Sequence, residues 1–263
     1  MKSTSTAEAI SAQLLDLLPQ QPEPAAVHSV FRTSANLLYQ GQLVTLLDDT
    51  RPLYPCAVRL GGPLPALTAG EPVLLCRERI LFPRSGFTVT LDRAQVTSLS
   101  LLSPPSKLQQ PHPVAAEALR ETILTRGKPE GFAPLLTMLE ASPSPLPDNP
   151  YVRYAADRIP ALFAALRQRD AEAAGEAAYS IAGCGIGLTP SADDFLCGVM
   201  ASVLASAIAR GEQNKWLPIT AAMAERAASR TNLISAAFLR QAACGQLSSD
   251  VLTLIRTLYS SVL

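Results

Sequence analysis

A chain of 263 residues can form one large domain or two modest ones and can bury roughly 70 to 75% of its unfolded surface, so no covalent staples are needed. Lys plus Arg and Asp plus Glu each number 22, and the resulting formal net charge of zero argues against electrostatic binding to nucleic acid or an anionic membrane. The five cysteines (Cys56, Cys76, Cys184, Cys197, Cys244) never stand in CxxC spacing, and His28 and His112 lie far apart, which argues against a disulfide framework, a zinc ribbon and a multi-histidine metal site; any metal would have to be held by carboxylates.

Residues 1–25 contain one early lysine and no continuous apolar stretch before a Gln/Pro-rich segment, so they read as an N-terminal helix or tail rather than a signal peptide. A cytoplasmic, reducing location is the expectation. Residues 26–103 show short β-rich runs, HSVFRTSANLLY, QLVTLL, AVRL, PVLLCRERILF and FTVTL, divided by turns such as Gly61-Gly62-Pro63. Residues 104–150 form a Pro-rich linker: SPPSKLQQPHP (103–113), one helix over Val114–Arg126, and an extended connector SPSPLPDNP (142–150).

Proline partitions the chain, because 19 of its 22 prolines lie at or before Pro150. Residues 151–263 hold 25 alanines, and their three prolines sit where helices can begin. Helices are predicted at 151–169, 170–182, 191–210, 216–229, 231–244 and 248–262. The apolar run Phe195–Ala209, 15 residues long, falls short of the ~20 that span a bilayer and reads as a buried core helix. The expected fold class is α+β: a small N-terminal β-barrel or sandwich followed by an all-α C-terminal domain.

The segment GCGIGLTPSADDFLCG, residues 183–198, is the one that does not read as generic fold material. Gly183, Gly185 and Gly187 permit positive φ and close approach of a ligand to backbone amides. Either Thr189 caps the next helix with Pro190 at its first position, or Ser191 caps it with Asp194 as capping-box partner. An ordinary helix start carries the same features. Several features together favour a functional loop, but it lacks the lysine of a P-loop and follows an Ala-rich helix rather than the strand of a dinucleotide fingerprint; ATP and NAD are therefore disfavoured.

The adjacent acids Asp193 and Asp194 bear on an anion site through magnitudes. At ~5 Å and an effective dielectric of ~20, each would repel a phosphate charge by ~3 kcal/mol. A helix terminus returns only ~0.3 to 2 kcal/mol. An anion site therefore needs a cation between acids and ligand, an arginine from elsewhere, or acids turned away to accept hydrogen bonds. On a helix the two point ~100° apart, so one can face a site while the other packs. A carbamoyl or amide group would suit such a mixture of donors and acceptors.

A second polar line runs through RTNLISAAFLRQAACG, residues 230–245. Thr231 and Ser235 share a helical face with Phe238 and Ala242. In one reading Thr231 is an N-cap, Ser235 packs and Arg230 is a surface charge; in the other, Arg230, Thr231 and Ser235 close over the glycine loop and Arg230 is the compensating cation. Cys184 lacks a nearby histidine and reads as packing more readily than as a nucleophile. His28 can line a pocket or end a strand, Asn36 is equally ambiguous, and Trp216 is a packing anchor.

Through these two segments the chain resembles the bacterial AllH-like family, the third subunit of oxamate carbamoyltransferase in anaerobic allantoin degradation, a branch of purine catabolism. The family pattern GxGxGLTPSGDDFLxG is matched at Gly183, Gly185, Gly187, Leu188, Thr189, Pro190, Ser191, Asp193, Asp194, Phe195, Leu196 and Gly198, with Ala192 where glycine is usual. The resemblance implies a β-barrel followed by a helical domain. It implies carbamoyl exchange between carbamoyl phosphate and the amide nitrogen of oxamate, with a partner subunit resembling the α chain of succinyl-CoA synthetase. On that chemistry Asp193, Asp194 and Thr189 are the candidate catalytic residues, and Gly183, Gly185, Gly187, Ser191, Arg230, Thr231 and Ser235 the candidate substrate-binding residues. No metal ligand set is assigned, and Mg²⁺ is left open as a cofactor. Alternatives are a non-catalytic small-anion-binding or scaffold subunit and, last, a Mg²⁺-dependent hydrolase or transferase.

Overall fold

A computed structural model describes residues 3–103, 108–128, 130–139 and 148–260. It divides into two compact units: residues 1–100 with Leu247–Leu252, and residues 101–246 with 253–263. Linker positions 104–107, connector positions 142–147 and the last predicted helical residues, 261 and 262, lie outside the described residues.

The first unit is a closed barrel, which settles the choice between barrel and sandwich. Its strands are β1 (Ser3–Ser11), β2 (Glu23–Val30), β3 (Ser34–Tyr39), β4 (Gln42–Leu47), β5 (Ala57–Leu60), β6 (Pro72–Leu75), β7 (Arg79–Phe82), β8 (Phe87–Thr90) and β9 (Gln95–Thr97). They follow the order β5-β4-β3-β2-β6-β7-β8-β1-β9, and β1 also pairs with β5, so eight strands close the ring and β9 adds to β1. The tight β3–β4 hairpin places Gln40 at φ 47° and Gly41 at φ 78°, the positive pair that a twist-matched two-residue turn requires. Alternate residues such as Leu37, Val44, Leu46, Val58, Leu60, Leu75, Ile80, Phe82 and Val89 fill the core with Leu14 and Leu18. Each such side chain contributes about 1.5–3 kcal/mol when fully buried.

The N-terminal segment differs from the expected helix or tail. Ser3–Ser11 is a full barrel strand, and only Ala12–Leu17 (α1) is helical, capped by Ser11. The strand STSTAEAIS is built from small and polar residues, so β-branched apolar alternation does not mark it. Its pairing is nonetheless extensive: Ser3–Thr6 run parallel to β8, Ala7–Ile10 antiparallel to β5 across a register shift, and Ala9–Ser11 parallel to β9. The two longest predicted β runs each divide, HSVFRTSANLLY between β2 and β3 and PVLLCRERILF between β6 and β7.

The second unit is helical. Its elements are α2 (Pro113–Arg126), a 3₁₀ turn at Ala133–Leu139, α3 (Pro150–Ala156), α4 (Ile159–Gln168), α5 (Ala171–Ile181), α6 (Ser191–Ala209), α7 (Gln213–Ala228) and α8 (Leu233–Ala243); α9 (Ser249–Leu258) begins in the first unit and ends in the second. The single helix expected at 151–169 is two, because Pro160 cannot continue a ladder and instead stands in the first turn of α4. Conversely, α7 starts before the expected 216, at Gln213, and carries Pro218 inside it at the loss of one backbone bond. By length and composition α6 alone among the described helices could cross a bilayer, since it begins at Ser191 rather than Phe195. It carries two acids in its first turn and packs against α7 and α8, with Leu196, Met200 and Leu204 buried.

Candidate functional site

The site grows from the turn between α5 and α6. Helix α5 ends when Ala182 leaves helical geometry, and the next eight residues, 183–190, loop into α6. Gly183, Gly185 and Gly187 have φ of 74°, 129° and 94°, as the alternating glycines predict. A Cβ on Gly183 would lie 2.7 Å from the Arg230 carbonyl oxygen, and one on Gly185 would lie 2.5 Å from the Ser191 nitrogen. Gly187 meets nothing within 4 Å, so only its φ calls for glycine.

Neither expected cap forms. Pro190 occupies the N-cap position of α6 without a side-chain cap, and Ser191 is the first helical residue. The Asp193 and Asp194 amides donate to the Pro190 carbonyl at 2.9 and 3.2 Å, and the Ala192 amide donates to the Cys184 carbonyl at 2.9 Å. Among the described residues, the amides of Gly185, Ile186, Gly187, Leu188, Thr189 and Ser191 donate to no protein acceptor. Five consecutive loop amides and one at the helix start are therefore available to a ligand.

The two acids have different surroundings. Asp193 is 1% exposed. Its Oδ1 accepts from the Gly183 amide at 2.7 Å, and its Oδ2 accepts from the Thr231 hydroxyl at 2.5 Å and the Ser235 hydroxyl at 2.6 Å. Three donors on a buried carboxylate fasten the start of the loop to the start of α8. Asp194 instead reaches the surface. Packed neighbours withdraw water from its carboxyl, the Thr189 hydroxyl donates to it and opposes the shift, and the Asp193 charge adds to it, so its pKa is pushed up from 3.8 to about 6. Among the described residues neither acid has a basic partner within ion-pair distance.

The 230–235 segment does meet the loop, though not by the contacts expected of each residue. Asn232, not Thr231, caps α8, accepting from the Ile234 and Ser235 amides at 3.0 and 3.1 Å. Its side-chain amide donates to the Leu188 carbonyl at 2.8 Å. Thr231 and Ser235 are committed to Asp193. The Arg230 guanidinium turns from the acids to the end of α5: Nη1 donates to the Tyr179 and Ser180 carbonyls at 3.1 and 3.4 Å, and Nη2 to the Tyr154 hydroxyl at 3.3 Å. Of the three routes to an anion site weighed from sequence, Asp193 takes that of an acid turned away to accept hydrogen bonds.

Other singled-out residues fall elsewhere. The Cys184 thiol donates to the Tyr151 carbonyl at 3.8 Å. Burial raises its pKa, the Arg158 and Arg230 charges lower it, and Asp193 raises it. Burial also raises the Cys197 thiol, with Asp194 and Asp193 adding. His28 sits in the barrel unit at a register shift of β2, its Nδ1 within 3.1 Å of the Ser29 hydroxyl, and Asn36 bridges Ser29 and Thr45. Trp216 is buried in α7 with the Arg169 guanidinium 5.4 Å from its ring centre. Sequence reasoning passed over Asn232, although Asn outranks Thr as an N-cap, and passed over Tyr154 and Arg158 beside the loop.

A cation would need several oxygen ligands. Among the described residues no group of three or more His, Cys, Asp or Glu could hold one, and Asp193 spends both its oxygens on protein donors. Among the described residues the chain thus offers no all-protein cage for a cation.

Comparison with known proteins gives no match among curated proteins or solved structures. Two family profiles do match: the AllH family N-terminal domain over residues 4–96 and the oxamate carbamoyltransferase subunit AllH over residues 181–262. The first spans the barrel and the second takes in the glycine loop, both acids and α8, so that most of the chain is covered and the chain belongs to the AllH family.

Proposed function

We propose that this chain is the oxyanion-binding subunit of an oxamate carbamoyltransferase, acting where a carbamoyl group passes between carbamoyl phosphate and the amide nitrogen of oxamate. The family supports the enzyme class; the observation that carries the local reading is the run of unpaired amides at Gly185–Thr189 and Ser191, beside a surface carboxyl whose pKa is pushed up to about 6. The amides would donate to the phosphate or to the carbonyl oxygen as it gains charge, an effect worth about 2.7–4 kcal/mol for a well-aimed donor. Asp194, unlike Asp193, has an accessible carboxyl. It would take the proton lost by the oxamate nitrogen as that nitrogen bonds to the carbamoyl carbon and phosphate leaves, giving oxalurate. Asp193, Thr231 and Ser235 would position the loop.

The test is a thermal-shift panel on the full chain with phosphate, carbamoyl phosphate, oxamate and oxalurate, each with and without Mg²⁺. At ~100-fold excess over Kd a ligand adds ~2.7 kcal/mol, a shift of a few degrees. That shift should fade in Gly185→Ala, whose Cβ would lie 2.5 Å from the Ser191 nitrogen and displace the loop amides, and Asp194→Asn in the assembled enzyme should bind but turn over slowly. No shift with any ligand removes the proposal.

A scaffold or anion-binding subunit without chemistry of its own is the second reading. It is favoured by the apolar tips around the loop, Ile186 at 64% and Leu188 at 49% exposed, which a partner subunit would cover. Turnover by the chain alone would dismiss it; turnover only after addition of the partner resembling a succinyl-CoA synthetase α chain, unaffected by Asp194→Asn, would favour it.

A further inference from the structure

The break forced by Pro160 leaves Arg158 between α3 and α4, outside both helices and half-buried. Its Nη1 donates to the Tyr154 carbonyl at 2.8 Å, and its guanidinium carbon lies 3.6 Å from the centre of the Tyr154 ring, stacked on its face. The Tyr154 hydroxyl donates to the Ser180 carbonyl at 2.8 Å and accepts from Arg230. Tyr154 is thus engaged by two guanidinium groups at the end of α5, where the chain turns into the glycine loop. Both charges act on the Cys184 thiol inside that loop.

The two arginines differ in what they have left to give. Arg230 spends Nη1 on two carbonyls and Nη2 on Tyr154. Arg158 spends only Nη1. Its Nε and Nη2 have no acceptor among the described residues, and no described carboxylate lies within ion-pair distance of it. Those two nitrogens form one edge of the planar group, with parallel N–H bonds spaced to meet both oxygens of a carboxylate. A half-buried cation without a counter-ion is costly, and an incoming anion relieves that cost. Cys184 does not supply the anion, since burial holds its thiol protonated against the pull of both arginines.

We propose that Arg158 is a specificity-determining residue that takes the carboxylate of the small amide acid through its Nε–Nη2 edge, while the glycine-loop amides take the oxyanion of the carbamoyl donor. This rests on the function proposed above and adds to it the residue that distinguishes an amide acid from a plain amide. Tyr154 is the platform that holds the guanidinium plane.

The test is calorimetric titration of the full chain with oxamate and, separately, inorganic phosphate. Arg158→Gln should weaken oxamate by about tenfold to a hundredfold, the usual worth of a charge-assisted pair, and leave phosphate within about twofold. Arg158→Lys keeps the charge and stem without the fork, so it should bind oxamate more weakly than the native chain and guard against a folding defect in the glutamine variant. Unchanged oxamate affinity in both variants overturns the assignment but leaves the loop reading standing. Parallel loss of oxamate and phosphate, at an unchanged ligand-free melting temperature, also overturns it, because Arg158 would then serve the phosphate. A native chain that binds neither probe overturns the proposed function itself.

Discussion

Truncating Asp193 to alanine isolates the contribution of the buried carboxylate. The change strands the Gly183 amide and the Thr231 and Ser235 hydroxyls, which now meet one side chain at 2.7, 2.5 and 2.6 Å. Hydrogen bonds to a charged group contribute about 1.5–3 kcal/mol each, and part of that total offsets the cost of burying the carboxylate. Each buried donor left without an acceptor costs about 1–3 kcal/mol, so Asp193→Ala should lose about 3–5 kcal/mol. Asp193→Asn keeps an oxygen for Gly183 and lets a rotated hydroxyl accept from its NH₂, so its loss should be about 1–2 kcal/mol. Trp216 is the only tryptophan and is buried in the helical unit, so urea unfolding followed by its fluorescence reads this unit directly. Asp194→Ala is the matched control, expected to cost far less. If Asp193→Ala unfolds within about 1 kcal/mol of the native chain, or no earlier than Asp194→Ala, the carboxylate does not fasten the loop.

Three further predictions concern the same loop. Because the Asp194 pKa is raised from 3.8 to about 6, the folded state holds that proton more tightly than the unfolded chain; this contribution to stability is complete below pH 3.8 and is lost as pH rises toward about 6. Asp194→Asn should therefore gain stability over the native chain at pH 7 but not at pH 4 in parallel denaturation curves, and should remove any limb near pH 6 from the pH–rate profile of the assembled enzyme. Gly187→Ala, strained only by its φ of 94°, should cost about 1–3 kcal/mol, while Gly185→Ala, with a Cβ driven to 2.5 Å from the Ser191 nitrogen, should cost more and abolish ligand-induced shifts. Cys184→Ala should retain turnover in the assembled enzyme, and the native thiol should alkylate slowly at pH 7, because its pKa is raised.

The division into barrel and helical units was legible because proline and alanine segregate along the chain, and composition of that kind survives averaging over many residues. Strand β1 was not legible: its Ser, Thr and Ala are held by pairing to β5, β8 and β9, partners up to some ninety positions away in sequence. The glycine loop could be read because positive φ leaves a chemical signature in the residue type. The separate roles of Asp193 and Asp194 could not, since helical geometry says only that they diverge, and the donors Thr231 and Ser235 that claim Asp193 arrive from α8. Arg158 escaped notice for a similar reason; its one sequence mark is the nearby Pro160, and its meaning depends on which nitrogens Tyr154 leaves unused.

The chain leaves the barrel unit near residue 100 and re-enters it at Leu247. At the return, the Leu247 amide donates to the Leu99 carbonyl at 2.9 Å, the Ser249 amide to the Leu53 carbonyl at 2.9 Å, and the Leu53 amide to the Ser249 hydroxyl at 3.1 Å. Within the helical unit the Leu101 amide donates to the Gly245 carbonyl at 2.8 Å, so that segment starts and finishes at one place. Each unit is thus assembled from two stretches of chain, the barrel from residues 1–100 and Leu247–Leu252 and the helical unit from residues 101–246 and 253–263. A barrel severed after residue 100 therefore forfeits the strip that hydrogen-bonds Leu53 and Leu99, and a helical unit ended at residue 246 forfeits its own closing stretch.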